Sequence, residues 1–323
     1  MGKVLITGGA GFIGMNLALY MTKLGYSVNI TDIKIPRCNQ LIPFFRQIDL
    51  LDIDNLKDYF NEISPDYVIH LGARTDLDGE TLLDYSANIS GVSNVIAAIN
   101  STPSVKKTIF ASSRLVCKLG YKPSDENDYL PTTTYGESKV ETEKIIKSSE
   151  INCVWCIVRP TSIWGPWFGI PYRTFFDTVR NGYYIHPLGV KVEKLFGFVG
   201  NSVFQIEKLL LANNNQVHKK VFYLADYECI NVLHFAKKIR KSSDLNDFIF
   251  QAPLIILKCI ALVGDLLKIF GVKNPPLTSF RLDNLKTNMD FDMNNIIDVI
   301  GRDLPFKLDD AVNETVTWIK DNA

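Results

Sequence analysis

The sequence predicts an α/β fold of the doubly wound type: a parallel sheet covered on both faces, followed by a smaller C-terminal α/β domain. Three observations carry this. Short apolar, β-branched runs alternate with amphipathic segments through the first half, a glycine cluster separates the first run from the first helical segment, and the alternation stops near residue 160. Continuous apolar strands separated by helices are the mark of a sheet buried on both faces.

The elements follow in order. Strands are expected at Val4–Thr7, Ser27–Thr31, Tyr67–Leu71, Thr108–Ser112 and Cys153–Val158, and helices over 13–24, 53–63, 82–100 and 135–149. After Arg159-Pro160 the aromatic, turn-rich run Trp164 to Pro171 ends the regular pattern. The main boundary is therefore drawn there, giving a first domain over 1–160 and a second over 161–323. Phe222-Tyr-Leu224 still reads as a strand, so part of 196–225 is expected to return to the first domain. Residues 249–270 are the most apolar stretch, but Pro253, Lys258, Gly264, Asp265 and Lys268 interrupt it. It is read as a buried or partner-facing helix, with a membrane-surface helix as the alternative and no span.

Composition narrows the class. The chain has 323 residues, 46% of them hydrophobic, enough for a sizeable core. Thirty-five basic residues balance thirty-five acidic ones, so no global field draws it to nucleic acid, and a small-molecule substrate is expected. The strand-like run at Val4 leaves no room for a signal peptide, from which a cytoplasmic location is expected. The six cysteines are too scattered for a disulfide framework. Cys153 and Cys156 form a C-x-x-C, but on a strand they face opposite sides. His186 and His218 lack partners at ligand spacing, so no metal is expected.

Gly8-Gly-Ala-Gly-Phe-Ile-Gly14 lies directly between a strand and a helix. In that context it is a dinucleotide-binding loop. Gly8 and Gly9 allow the tight turn, Gly11 lets a pyrophosphate approach the backbone, Gly14 lets the helix pack closely, and the helix N-terminus faces the phosphate. Asp32, after the second strand, stands near the roughly 20-residue spacing of the acid that binds the adenosine ribose. A carboxylate there repels a 2′-phosphate, which favours NAD over NADP, although Lys34 and Arg37 leave NADP open. The domain is thus Rossmann-type.

Tyr135 and Lys139 stand four residues apart, about one helical turn. A phenol ionises near ~10, and an adjacent ammonium favours the phenolate, making a usable base. Ser112-Ser113 at the end of a strand completes the set.

Together these features resemble the extended short-chain dehydrogenase/reductases, specifically the NAD-dependent epimerase/dehydratase family typified by UDP-galactose 4-epimerase. The matching positions are Thr7 to Gly14, Asp32, Asp49-Leu50, His70 to Ala73, Asn88 with Gly91, Ser112 to Cys117, Tyr135 to Lys139 and Val158 to Pro166. The likeness is strong over the first half and weak beyond it. It implies Ser113, Tyr135 and Lys139 as catalytic residues. It implies a cofactor set of Gly8, Gly11, Phe12, Ile13, Gly14, Asp32, Asp49, Leu50, Leu71, Gly72, Ala73, Thr75, Asn88, Tyr135, Lys139 and Thr161. It also implies a homodimer formed through 82–100 and 135–149.

The departures are informative. Dehydratases of the family follow the serine or threonine with Asp-Glu, whereas this chain has Arg114-Leu115, and neither can carry the proton transfers of elimination. Cys117 replaces the Tyr of V-Y-G and is expected to line the substrate pocket as a packing residue. Ser162 stands where the family often has Asn. Arg114 either clamps an anionic substrate group or turns to solvent. Arg173, Lys194 and Arg281 are candidates for a diphosphate. Three functions follow as expectations: a nucleotide-sugar epimerase first, then an NAD(P)-dependent reductase or dehydrogenase on another carbonyl or alcohol, then a non-catalytic NAD-binding regulator. The intact Ser113/Tyr135/Lys139 set argues against the last.

Overall fold

The computed structural model describes residues 2–272, 275 and 277–322. Its centre is a seven-stranded sheet: β1 (Lys3–Thr7), β2 (Ser27–Asp32), β3 (Phe45–Gln47), β4 (Tyr67–His70), β5 (Lys107–Ala111), β6 (Val154–Pro160) and β7 (Lys220–Leu224), in the order β7-β6-β5-β4-β1-β2-β3. Every neighbouring pair is parallel. The order reverses between β1 and β4, and in such sheets ligands lie beyond the strand ends at that reversal.

Alternation along each strand builds two cores. Val4, Ile6, Ile69 and Ile109 face one layer, whereas Leu5, Val68 and Phe110 face the other, as the two-residue period of a strand requires. The second layer holds α2 (Ile53–Ile63), α3 (Ser86–Asn100) and α4 (Thr134–Ser148). The first holds α1 (Phe12–Lys23), with which a helix from the second half packs. Caps fix two of the starts: the Asp52 carboxylate accepts from Asn55 N at 3.2 Å, and the Thr133 hydroxyl from Gly136 N at 3.0 Å.

Beyond β6 come α5 (Tyr172–Arg180), α6 (Val199–Leu211), α7 (Val232–Ser242), α8 (Leu254–Ile269), α9 (Ser279–Lys286) and α10 (Leu308–Asp321). Short ladders link them: Ser162–Trp164 with Phe196–Phe198, Glu193–Lys194 with Ile230–Asn231, and Ile185–Pro187 with Phe250–Ala252. It is α6 that packs on α1, and β7 pairs with β6, so residues 199–224 lie with the sheet.

Of the readings open for 249–270, a buried helix is excluded, and the partner-facing and membrane-surface ones stay open. Of α8 only Leu257, Ala261 and Gly264 are buried. Leu257 and Ala261 belong with Ala252 and Leu282 to a small cluster separate from both main cores. The high apolar content reflects an unpartnered outer face, which no periodicity argument could have distinguished from a buried one. Among the described residues no helix is long and apolar enough to cross a membrane.

Candidate active site

The glycine loop sits at the sheet's reversal point. Gly8 has φ +72°, and a Cβ there would lie 2.5 Å from Gly72 N, on the loop after β4. A Cβ on Gly14 would lie 2.2 Å from the Gly8 carbonyl oxygen. Only glycine lets the two loops and α1 close this tightly. The first turn of α1 has no side-chain cap and no acidic residue, which leaves its amides to an anion. The Asp32 carboxylate stands at the rim, accepting from Ala10 N at 3.2 Å and Lys34 N at 3.1 Å. Arg37 donates to the Trp167 carbonyl at 2.7 Å and lies over its ring. Arg37 is thus directed at a carbonyl, while Lys34 stands exposed two residues from Asp32. These residues fit a dinucleotide: a backbone cradle that any Cβ would fill, a free helix end and a rim carboxylate.

Around the cradle, Leu50 is buried against Gly72 and Gly91, while Asp49 is exposed and accepts from Leu51 N at 2.9 Å. Leu71 and Ala73 are half-buried at the loop, and Thr75 is exposed. Phe12 contacts the Phe168 ring with centroids 6.4 Å apart, Ile13 is half-buried behind it, and Gly11 is exposed. Thr161 donates to the Leu224 carbonyl at 3.0 Å, tying the end of β6 to β7.

Asn88 ties two elements of the site together. Its Oδ1 accepts from Arg74 N at 2.8 Å, and its Nδ2 donates to Arg74 O at 3.0 Å and Ser138 Oγ at 2.9 Å. The amide is fully used inside the protein and 1% exposed. It therefore positions the loop after β4 against α4, with both amide N–H donors used within the protein.

The proton-handling residues come together at the C-terminal end of β5 and the start of α4. The Thr133 cap places Tyr135 in the first turn of α4, with Lys139 one turn on. Tyr135, Lys139 and Ser113 are each less than a tenth exposed. The Ser113 hydroxyl lies near enough to the Tyr135 phenol to favour its ionised form, and the Tyr85 ring lies 6.0 Å from the Tyr135 ring. Lys139 Nζ donates to the Ala111 carbonyl at 3.0 Å.

Charge in this pocket follows burial. Desolvation pushes the Tyr135 phenol up to about 12, opposed by the nearby Ser113 hydroxyl, and brings Lys139 down to about 8. The expected lowering of Tyr135 by Lys139 is thus not what the protein alone achieves. The ammonium is held on Ala111 O, and burial of the phenol dominates.

Arg114 begins the 3₁₀ turn after Ser113, whose hydroxyl accepts from Leu115 N at 3.1 Å. It lies close enough to Lys194 that the two cations repel. Burial and this repulsion together bring Lys194 down to about 8. Lys194 Nζ donates to the Asn284 carbonyl at 2.6 Å. Ser162 is buried with its hydroxyl on Met289 Sδ at 3.6 Å. Cys117 is buried with its thiol on the Asp128 carbonyl at 3.3 Å, in a small cluster with Val116 and Val140. Its role is packing.

Arg173 and Arg281 do not join Arg114 and Lys194. Arg173 is paired with Asp177 at 2.9 Å and lies over Trp318, in the aromatic cluster with Trp167 and Phe168. Arg281 donates to the Pro275 carbonyl at 2.6 Å, which ties it into the α8–α9 connection.

Sequence reasoning missed one buried assembly beneath the trio. Glu143, two turns past Tyr135 on α4, accepts from Arg159 Nε and Nη2, both at 2.8 Å, and from Ser112 Oγ at 2.6 Å. Glu143 and Arg159 are fully buried. Tyr129 donates to Glu143 at 2.9 Å, and Arg159 reaches the Tyr223 hydroxyl at 3.3 Å. Burial alone would raise the Glu143 carboxyl, but the Arg159 hydrogen bonds and charge hold it below the usual range. A charge closing the apolar strand Cys153–Val158 was the available signal.

A dinucleotide cradle at the switch point of a parallel sheet, with a buried Ser/Tyr/Lys trio beside it, defines an enzyme of the extended short-chain dehydrogenase/reductase class. The family model for the NAD dependent epimerase/dehydratase family matches residues 4–187. The chain belongs to that family, and its cofactor is NAD. It is 27% identical over 257 residues to a 3-beta-hydroxysteroid dehydrogenase of Mycolicibacterium neoaurum, covering 74% of this chain and 69% of the relative. It is 36% identical over 163 residues to a UDP-glucose 4-epimerase of Neisseria meningitidis serogroup C, covering 45% of this chain and 48% of the relative. Its fold matches the crystal structure of UDP-glucose 4-epimerase with UDP-glucose from Thermotoga maritima at a TM-score of 0.75, with 18% identity and 99% of both chains covered.

Proposed function

We propose that this protein is a nucleotide-sugar epimerase that works by transient oxidation of one sugar carbon. The observation that carries the reading is the buried Ser113/Tyr135/Lys139 trio opening beside the NAD cradle and followed by Arg114-Leu115 instead of an acid pair. When bound, NAD supplies the hydride acceptor and donor and a positive ring that favours the ionised phenol.

The chain's own residues do the rest. Tyr135 Oη takes the hydroxyl proton as the C–H hydride leaves, and Ser113 Oγ hydrogen-bonds to the same sugar oxygen. Lys139, fixed on Ala111 O, keeps two further N–H donors for the nicotinamide ribose. The keto sugar turns over in the pocket, hydride returns to the opposite face, and Tyr135 gives the proton back. Arg114 and Lys194 present positive charge to the anionic part of the substrate. The outer face shared by α3 and α4, which pack side by side, is the surface through which two copies would pair.

The second reading, a dehydrogenase acting on another alcohol with exchangeable cofactor, is favoured by the steroid dehydrogenase relative, which spans more of this chain than the epimerase relative does. Cofactor retention separates the two. NAD(H) released only on denaturation supports the epimerase, and free exchange supports the dehydrogenase. Tyr135→Phe is expected to lower turnover by about 10²- to 10⁴-fold while leaving NAD-dependent thermal stabilisation intact. Unchanged turnover removes both readings.

A further inference from the structure

We propose that the α8–α9 hairpin is a membrane-interface anchor, lying in the headgroup–acyl boundary of an anionic bilayer. The inference goes beyond the epimerase reading and holds whichever alcohol is the substrate. Its basis is where α8 points its side chains. The buried side is narrow: Leu257, Ala261 and Gly264 face the hairpin, and Asp265 turns inward to accept from Ser279 N at 3.1 Å. The outward side has no charged residue. Ile255, Leu262 and Ile269 stand along one edge at 68%, 65% and 80% exposure, with Ile256, Ile260 and Leu267 exposed along the other. At about 100° per residue these two edges bracket about 180° of the helix.

Three features choose a bilayer as the occupant. A partner helix covers a stripe of about 100°, whereas this arc is nearly twice as wide and lies on a satellite cluster apart from the main cores. A fluid apolar phase can wet such a surface, and one protein helix cannot. Large apolar side chains also stand exposed in the segments before and after α8, Phe248 and Phe250 on one side and Phe270 and Phe280 on the other, all more than half exposed. Finally, Lys258 is exposed at the margin of the apolar arc and forms no ion pair among the described residues, a placement that suits anionic headgroups above a buried apolar face. At 16 residues, or about 24 Å, α8 lies in the plane and does not cross it. The hairpin also touches the site, since the Asn284 carbonyl on α9 holds Lys194. Docking therefore sets one wall of the substrate pocket at the lipid surface.

The test is flotation of the full chain with vesicles of phosphatidylcholine alone and with added phosphatidylglycerol, in low and high salt. The protein is expected to float with the anionic vesicles, less so at high salt. Ile255→Gln/Leu262→Gln/Leu266→Gln is expected to lower partitioning by roughly 100-fold while leaving the NAD-dependent thermal shift unchanged. As an independent readout, Phe270→Trp is expected to blue-shift its emission on vesicle addition. Absence of flotation in every mixture overturns the proposal. So does a wild-type dimer in light scattering that the triple change dissociates, since the face then belongs to a second copy. These outcomes do not depend on substrate identity or turnover, so failure of the epimerase reading leaves them intact.

Discussion

Removing the Glu143 carboxylate tests whether the buried ion pair holds the catalytic helix in place. In Glu143→Ala, Arg159, 1% exposed, keeps its charge but loses two acceptors at 2.8 Å, and the hydroxyls of Ser112 and Tyr129 lose theirs. Breaking a buried pair from one side costs about 3 to 5 kcal/mol, because the remaining charge stays desolvated and uncompensated. At about 2.1 cal/mol/K of unfolding entropy per residue, 323 residues give about 0.7 kcal/mol/K, so the melting temperature should fall by about 4 to 7 °C. Arg159→Met is expected to cost a similar amount. The double change Glu143→Met/Arg159→Met should be less destabilised than either single change, since neither charge is then stranded. The acid limb checks the sign. The folded pKa of Glu143 is depressed, so its contribution is present above the unfolded value of about 4.3 and is lost as pH falls through the folded one. The single variant should therefore have a shallower acid transition than wild type. The assay is thermal unfolding by circular dichroism with bound NAD controlled. Losses below about 1 kcal/mol for both single changes, or a double change that equals their sum, would refute the reasoning.

Gly14→Ala puts a Cβ 2.2 Å from the Gly8 carbonyl oxygen and 2.8 Å from Gly9 Cα, so it should destabilise the fold by about 1 to 3 kcal/mol and weaken the thermal shift given by NAD. Asp32→Ala should narrow the preference for NAD over NADP, measured as a ratio of dissociation constants, by about tenfold or more. If the ratio does not move, the rim carboxylate is not at the ribose. Asp226, enclosed between Asn201 Nδ2 at 2.8 Å and Phe198 N at 3.1 Å, is pushed up to about 7 by burial, against those two hydrogen bonds. Its folded pKa is raised, so the stability it contributes is complete below about pH 4 and is lost as pH rises through about 7. Relative to wild type, Asp226→Asn should flatten that decline by on the order of 2 kcal/mol between about pH 5 and 8, read from denaturant midpoints.

Most of the sheet and the glycine loop between β1 and α1 are legible in the sequence alone. Those features are local: a strand needs a two-residue period, a helix a 3.6-residue one, and a phosphate turn needs glycines in series, so each is written in a few consecutive residues. The observed α1 to α4 begin within four residues of their expected positions. β3 escaped notice because three residues are too few to show a period. The tertiary structure alone decided what depends on residues distant in the chain. Asn88 matches a cofactor motif, yet Arg74 and Ser138 consume its amide. Arg114 and Lys194 meet while Arg173 and Arg281 find partners elsewhere. Glu143 and Arg159, unremarkable apart, join as a buried pair under the catalytic helix. The apolar run at 249–270 reads the same whether it faces a core or the outside. Only packing showed that Leu257, Ala261 and Gly264 line the hairpin while most of the other aliphatic side chains of the helix are exposed, because hydrophobicity records what a side chain avoids and not which neighbour spares it from water.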